Sequence, residues 1–286
     1  MNLRPIRIIL LVWITLWLTG CGSDETSRDD LAPVKPQWIP RTGDHILAQR
    51  GIRAEPSFSS ASSTPEYSVR LDWYANPEDD LAGYRIWRVS ETAADLSRYY
   101  IAKDLRRGVD FELGYATYSW VDKGDSMIYT GQNMLAPDIT TGDTRGYYWA
   151  LEAYDEAGNR SEKSDPVYYR MLNIPRNLSV ARLETNTYRL TWQYQLNPDV
   201  TPLYYTVRVY SAAWGPDSVL WYDMDVRRYG ANPEPVTMSF SETNSLLIPD
   251  CTFVCQLNVI GNPLFGEEHT DSICGSAAYT TFVFQN

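Results

Sequence analysis

Short runs in which every second position is apolar recur along the chain, separated by turn residues instead of merging into helical periods. Val69, Leu71 and Trp73 alternate with Arg70 and Asp72, the period-2 sign of a half-buried strand. Asn76-Pro-Glu-Asp-Asp80 breaks the run and Gly83–Val89 resumes it, placing Tyr84 and Ile86 on one face and Trp87 on the other. Tyr147–Tyr154 alternates again, with Tyr147, Trp149, Leu151 and Ala153 pointing inward and Tyr148 and Tyr154 outward. It ends in Asp155-Glu-Ala-Gly-Asn159, before a further strand over Pro166–Arg170. No convincing amphipathic helix interrupts this order; Ala93–Leu105 is the nearest candidate, with room for one short turn.

The pattern then starts over. Asn173–Val180 supplies a linker proline and a first strand, and Tyr188-Arg-Leu-Thr-Trp192 repeats the Val69–Trp73 alternation with Leu190 and Trp192 inward. Tyr204–Tyr210, Leu247–Val259 and Ala277–Phe284 supply three later strands. The repeat length is roughly 115–125 residues, which is the scale of a domain and not of a solenoid unit.

Two stretches carry a resemblance. VRLDWYANPEDDLAGYRIWRVSE and GYYWALEAYDEAGNRSEKSDPV resemble strands B and C, and strands F and G, of a fibronectin type III domain. The resemblance implies an all-β protein of two consecutive immunoglobulin-like sandwiches, one over 46–172 and one over 173–286. Its core Trp on strand B would be Trp73. The match departs in the middle of the first copy, where 96–146 is longer than the family needs and is taken as an insertion. The second copy lacks the Asp-x-x-Gly-Asn turn after strand F. The competing reading is one larger sandwich of another topology.

The N-terminus has a different character. Arg4 and Arg7 precede an apolar run over Ile8–Leu18, too short to span a bilayer as a helix but suited to a signal-peptide core. Leu18-Thr19-Gly20-Cys21 resembles the bacterial lipobox. The resemblance implies that residues 1–20 are removed and that Cys21 is acylated, a membrane anchor that needs no spanning segment. Gly22-Ser23 lacks the Asp that retains such lipoproteins in the inner membrane, so the expected address is the outer membrane. Residues 21–45, rich in Ser, Thr, Asp and Pro, are read as a flexible tether.

Composition narrows the function. Twenty-five Lys and Arg against 36 Asp and Glu give a net charge of −11, which excludes a nucleic-acid partner. Two His leave little for a metal site or a charge-relay triad, and no nucleophile elbow, zinc-protease or phosphate-loop motif occurs. No catalytic residue and no cofactor is assigned. In a type III sandwich the B–C and F–G loops share one end, so Asp79, Asp80, Asp155 and Asn159 are a candidate Ca²⁺ set. The alternative is that they serve turn geometry. Outward Trp87, Tyr148 and Tyr154 form a candidate ligand face for a glycan or protein partner. Cross-strand packing or cover by 96–146 is the alternative.

Cys251, Cys255 and Cys274 all fall in the second copy. Three thiols allow three pairings. Cys255–Cys274 is the favoured bridge, against the alternative that Cys255 is simply a buried apolar residue. The expected whole is a non-catalytic, lipid-anchored envelope scaffold presenting two modules to a protein partner, with a carbohydrate-binding accessory as the alternative.

Overall fold

The computed structural model describes residues 30–40, 51–93, 99–124, 133–137, 143–184, 186–215, 219–226, 235–240, 250–263 and 273–284. The leader and Cys21 lie outside these. Fifteen strands and no helix occur among the described residues. The first eight are β1 (Ile52–Ala54), β2 (Ser57–Phe58), β3 (Val69–Tyr74), β4 (Leu81–Ser90), β5 (Tyr100–Arg106), β6 (Thr117–Asp122), β7 (Gly146–Asp155) and β8 (Val167–Met171). The remainder are β9 (Arg176–Glu184), β10 (Thr187–Gln193), β11 (Val200–Ser211), β12 (Val219–Val226), β13 (Val236–Ser239), β14 (Thr252–Pro263) and β15 (Ile273–Val283).

The fold is all-β and contains two sandwiches. In the first, a sheet ordered β1-β3-β6 packs on strands ordered β8-β7-β4-β5; in the second, β9-β10-β13 packs on β15-β14-β11-β12. Strands B, C, F and G of the resemblance are β3, β4, β7 and β8. The span 96–146, read as an insertion, supplies β5 and β6, which pair antiparallel with β4 and β3. Much of it is therefore framework.

The alternating residues make the cores. Val69, Leu71 and Trp73 face Tyr84, Ile86, Tyr147, Trp149, Leu151 and Ala153 in one apolar cluster. Tyr188, Leu190 and Trp192 face Tyr205, Val207, Val209, Phe253, Leu257 and Val259 in the other. Each core is centred on one Trp–Tyr edge contact: Trp73 on Tyr84 at 5.5 Å and Trp192 on Tyr205 at 5.4 Å between ring centroids.

The sandwiches are not separate beads. β8 and β15 pair in parallel, Tyr169 beside Ile273 and Met171 beside Gly275, and β2 pairs with β15 farther along. The result is one nine-stranded sheet running from β12 to β5. A side chain on Gly275 would collide with the Tyr169 hydroxyl, so glycine permits this close approach. Neighbours in a parallel pair share a face. Tyr169 and Met171 lie in the first core, whereas Cys274, beside Arg170, lies in the second. The two small sheets therefore cover opposite faces of the common sheet.

A polar cluster fastens the join. Arg170 on β8 donates from Nη2 to both carboxylate oxygens of Glu91 at 2.7 Å and from Nη1 to Asp199 at 3.3 Å. Tyr168 also donates to Glu91, and the Thr144 hydroxyl donates to Asp199 at 2.6 Å. Burial pushes the Glu91 carboxyl up, but the hydrogen bonds from Arg170, Tyr168 and the Gly146 amide outweigh it and hold the group below the usual carboxylate range.

One expectation is corrected here. Residues 30–40, placed within a flexible tether, are docked on the first sandwich. Trp38 bridges Trp73 antiparallel, the Tyr74 amide donates to the Gln37 carbonyl at 2.9 Å, and that of Ile39 to Asp72 at 3.2 Å. Trp38 Nε1 donates to the Asp165 carbonyl at 2.7 Å, and Lys35 pairs with the Asp165 carboxylate at 2.7 Å. Pro33 and Pro36 are buried. Proline-rich extended chain has no internal hydrogen bonds to lose, so it docks as an edge strand at low entropic cost. We call this segment the strap.

Candidate functional site

The three aromatic residues proposed as a ligand face do share the outer surface of β4 and β7, but their rings are already engaged. Lys163 Nζ sits 4.3 Å from the centroid of Trp87. Tyr148 packs on Tyr168 at 4.9 Å. Tyr154 lies across Gly83, where a Cβ would strike its ring, and donates to the Asp104 carboxylate at 2.9 Å. Arg85 stacks over it at 5.2 Å. All three rings are half-buried. This is cross-strand packing, and no bare aromatic row is left for a sugar face.

The acidic loops also resolve into turn chemistry. Both oxygens of Asp155 accept hydrogen bonds from Asn159, its amide at 2.8 Å and its Nδ2 at 2.9 Å. The Asp80 carbonyl accepts from the Glu156 amide, and the Asp79 carbonyl from Arg107 at 2.9 Å. A guanidinium thus occupies the space between the loops, and among the described residues no cluster of three metal-ligating side chains occurs. The candidate Ca²⁺ set is corrected on that ground: Asp155 is spent on its own turn, and Arg107 supplies the local positive charge.

The disulfide is corrected as well. Cys251, Cys255 and Cys274 are all free thiols. Antiparallel register sets Cys255 opposite Thr280 and Cys274 opposite Gly261. Six residues of strand therefore part the two thiols, about 20 Å at the usual rise, far beyond bridging distance. Burial pushes both thiols up to about 12. Cys255 fills a core position, as the apolar alternative has it.

Among the described residues, two recesses lie at opposite ends of the molecule. At the end where the strap docks, an open recess of about 400 Å³ lies between the free sides of β5 and β6. Its floor is an aromatic stack that climbs from the core to solvent: Trp73 and Tyr84 are buried, Phe111 lies 4.9 Å from Tyr118, and Tyr115 lies 6.5 Å beyond, 67% exposed. Lys103 and Asp110 pair at 3.0 Å on its rim. At the far end, Ser211–Trp214 and Cys251–Phe253 enclose a second recess of about 400 Å³. Trp214, on the turn after β11, is 55% exposed there.

The recess residues were not singled out by sequence. Tyr115, Phe111 and Tyr118 fall in the span taken as an insertion, and Trp214 follows a strand whose alternation gives no sign of what its turn presents.

No family model matches the chain, and no curated protein does. Among solved structures, the chicken CNTN1 FN1–FN3 domains match over 89% of this chain and 69% of that chain, at 11% identity and a TM-score of 0.28. That similarity is too loose to carry an argument here. The sandwich architecture stands on its own strand order.

Proposed function

We propose that the protein is a lipid-anchored, non-catalytic scaffold of the bacterial cell envelope, on the outer membrane, that presents its two fibronectin type III-like modules to a protein partner. The shared nine-stranded sheet carries this reading. It fuses the modules through backbone hydrogen bonds and so holds the two ends at a fixed separation. Twelve steps along the strands separate Val167 at one end from Val283 at the other, about 40 Å at ~3.3 Å per residue. The buried ionisable groups serve the framework: Arg88 with Asp122, and Glu91 with Arg170 and Asp199. Acylation of Cys21 supplies the anchor.

The Trp214 recess is the contact surface this reading favours, because a solvent-exposed Trp beside an apolar hollow is the usual material of an interface anchor. A photo-crosslinking amino acid at Trp214, in the anchored protein in its own envelope, is expected to capture one discrete protein band. Trp214→Ala in a protein crosslinked from a neighbouring position is expected to lose it. Capture of no protein, or an unchanged band in Trp214→Ala, overturns the assignment.

A further inference from the structure

The strap fixes where the anchor leaves the body. Asp30 begins the described strap, and the Leu31 and Val34 carbonyls accept hydrogen bonds from Asn159 and Asn76, the latter at 2.6 Å. The Val34 amide donates to Glu78. The chain therefore departs from the end of the first sandwich formed by the β3–β4 and β7–β8 turns. Only residues 22–29 lie between Cys21 and Asp30. Even fully extended, such a span reaches at most about 30 Å, less than the length of the body.

Exposure points the same way. Among the large apolar side chains of the described residues, Leu31 at 81%, Val109 at 80% and Tyr115 at 67% are the most exposed, followed by Val34 and Trp214. Four of those five belong to the strap end. Leu31 and Val34 are on the strap itself. Val109 is in the turn anchored by Arg107 on the Ala82 and Asp79 carbonyls, and Tyr115 adjoins Ala116, whose carbonyl holds the Ala75 amide. Exposed aliphatic side chains together with one exposed Tyr suit the headgroup layer of a bilayer, where an apolar body and a polar tip are both satisfied. Two of the acids here are paired, Asp165 with Lys35 and Glu156 with Arg107.

We propose that this end, with Leu31, Val34, Val109 and Tyr115 at its tip, is a lipid-contacting surface that seats the first sandwich on the membrane holding Cys21 and points the Trp214 end away from it. The proposal rests on the acylation of Cys21. Its test keeps the two apart. The full-length acylated protein carries Cys251→Ser and a single fluorophore, at Glu162→Cys on the strap end or at Thr281→Cys on the far end; Cys255 and Cys274 are buried and stay unlabelled. It is placed in phosphatidylethanolamine–phosphatidylglycerol vesicles that contain nitroxide-headgroup lipid.

The label at 162 is expected to be quenched several-fold more strongly than that at 281. Leu31→Ser with Tyr115→Ser is expected to erase most of the difference while the protein still floats with the vesicles. Equal quenching of the two labels in floated protein overturns the seating alone, as does a difference that survives the double substitution. Protein that fails to float, with an unmodified Cys21 by mass, overturns the anchor and the proposal with it.

Discussion

The two sandwiches solve the same packing problem with different chemistry. Register aligns them position by position. Tyr84 opposite Ala153 answers to Tyr205 opposite Val259, and Ile86 opposite Leu151 to Val207 opposite Leu257. One step on, Arg88 opposite Trp149 becomes Val209 opposite Cys255, and Asp122, paired with Val69, becomes Met238, paired with Tyr188. The first core thus holds an ion pair where the second is wholly apolar. Arg88 is fully buried, and its Nη1 donates to both Asp122 oxygens at 2.8 and 2.7 Å. Its guanidinium lies 5.5 Å from the ring centroids of Tyr100 and Tyr147, and Trp149 Nε1 also donates to Asp122, at 2.9 Å. Burial pulls the arginine down, but Asp122 and Tyr100 together more than compensate and raise it. Since the second sandwich dispenses with all three groups, the pair is not a demand of the fold. It fastens the edge strand β6 to the opposite sheet.

The largest effect that separates the two cores is expected at Arg88. Arg88→Met strands the Asp122 carboxylate and costs about 3–5 kcal/mol in denaturant unfolding. Adding Asp122→Leu imitates Val209 and Met238, but recovers only part of the loss, because the Trp149 and Gly124 N–H groups then lack an acceptor. Full recovery would show that the ion pair is replaceable at no cost.

Next comes the join itself. Arg170→Ala is expected to cost about 1.5–3 kcal/mol and to split a single unfolding transition into two, followed by calorimetry. The same contact gives a pH dependence. The Glu91 carboxyl is lower in the folded protein than its ordinary 4.5. Its contribution is therefore complete above that value and is lost as pH falls through the folded one. Wild-type protein should lose stability on that descent, and Glu91→Gln should lose less over the same interval.

Smaller still is Cys255→Val, a near-isosteric change in the apolar core that should stay below about 1.5 kcal/mol. The least energetic test is chemical. In the native protein only Cys251 of the three thiols should react with a thiol reagent at neutral pH, with Cys255 and Cys274 reacting on unfolding. Fast reaction at Cys274 would place it outside the core.

Much of this architecture was legible locally. Alternation alone put Val69, Leu71 and Trp73, and again Leu190 and Trp192, on inward faces, because a strand with one buried side must repeat every two residues. Arg88 and Asp122 share parity with Tyr84 and Tyr118, so the buried pair was in principle readable, but charge at an inward position counts against burial until its partner is known. What stayed hidden depends on remote partners. The strap looks like solvated chain, since nothing near Trp38 in sequence announces Asp165. The outer rings of Trp87, Tyr148 and Tyr154 could be oriented but not covered, because Lys163 comes from the β7–β8 connection and Tyr168 and Asp104 from other strands. The recess beside Tyr115 needs β5 and β6 brought face to face.

The partnership of β8 with β15 also dictates an order of events. Ala277 packs in the first core, and the free side of β8 finds its neighbour only at Ile273–Gly275. A chain made from its N-terminus must therefore hold the first sandwich unfinished, with an open edge, until about a hundred further residues have emerged. Closure of so long a loop is slow, and an open edge in that interval invites pairing with another chain. Maturation should accordingly be limited by arrival of the last strand, with self-association the competing fate.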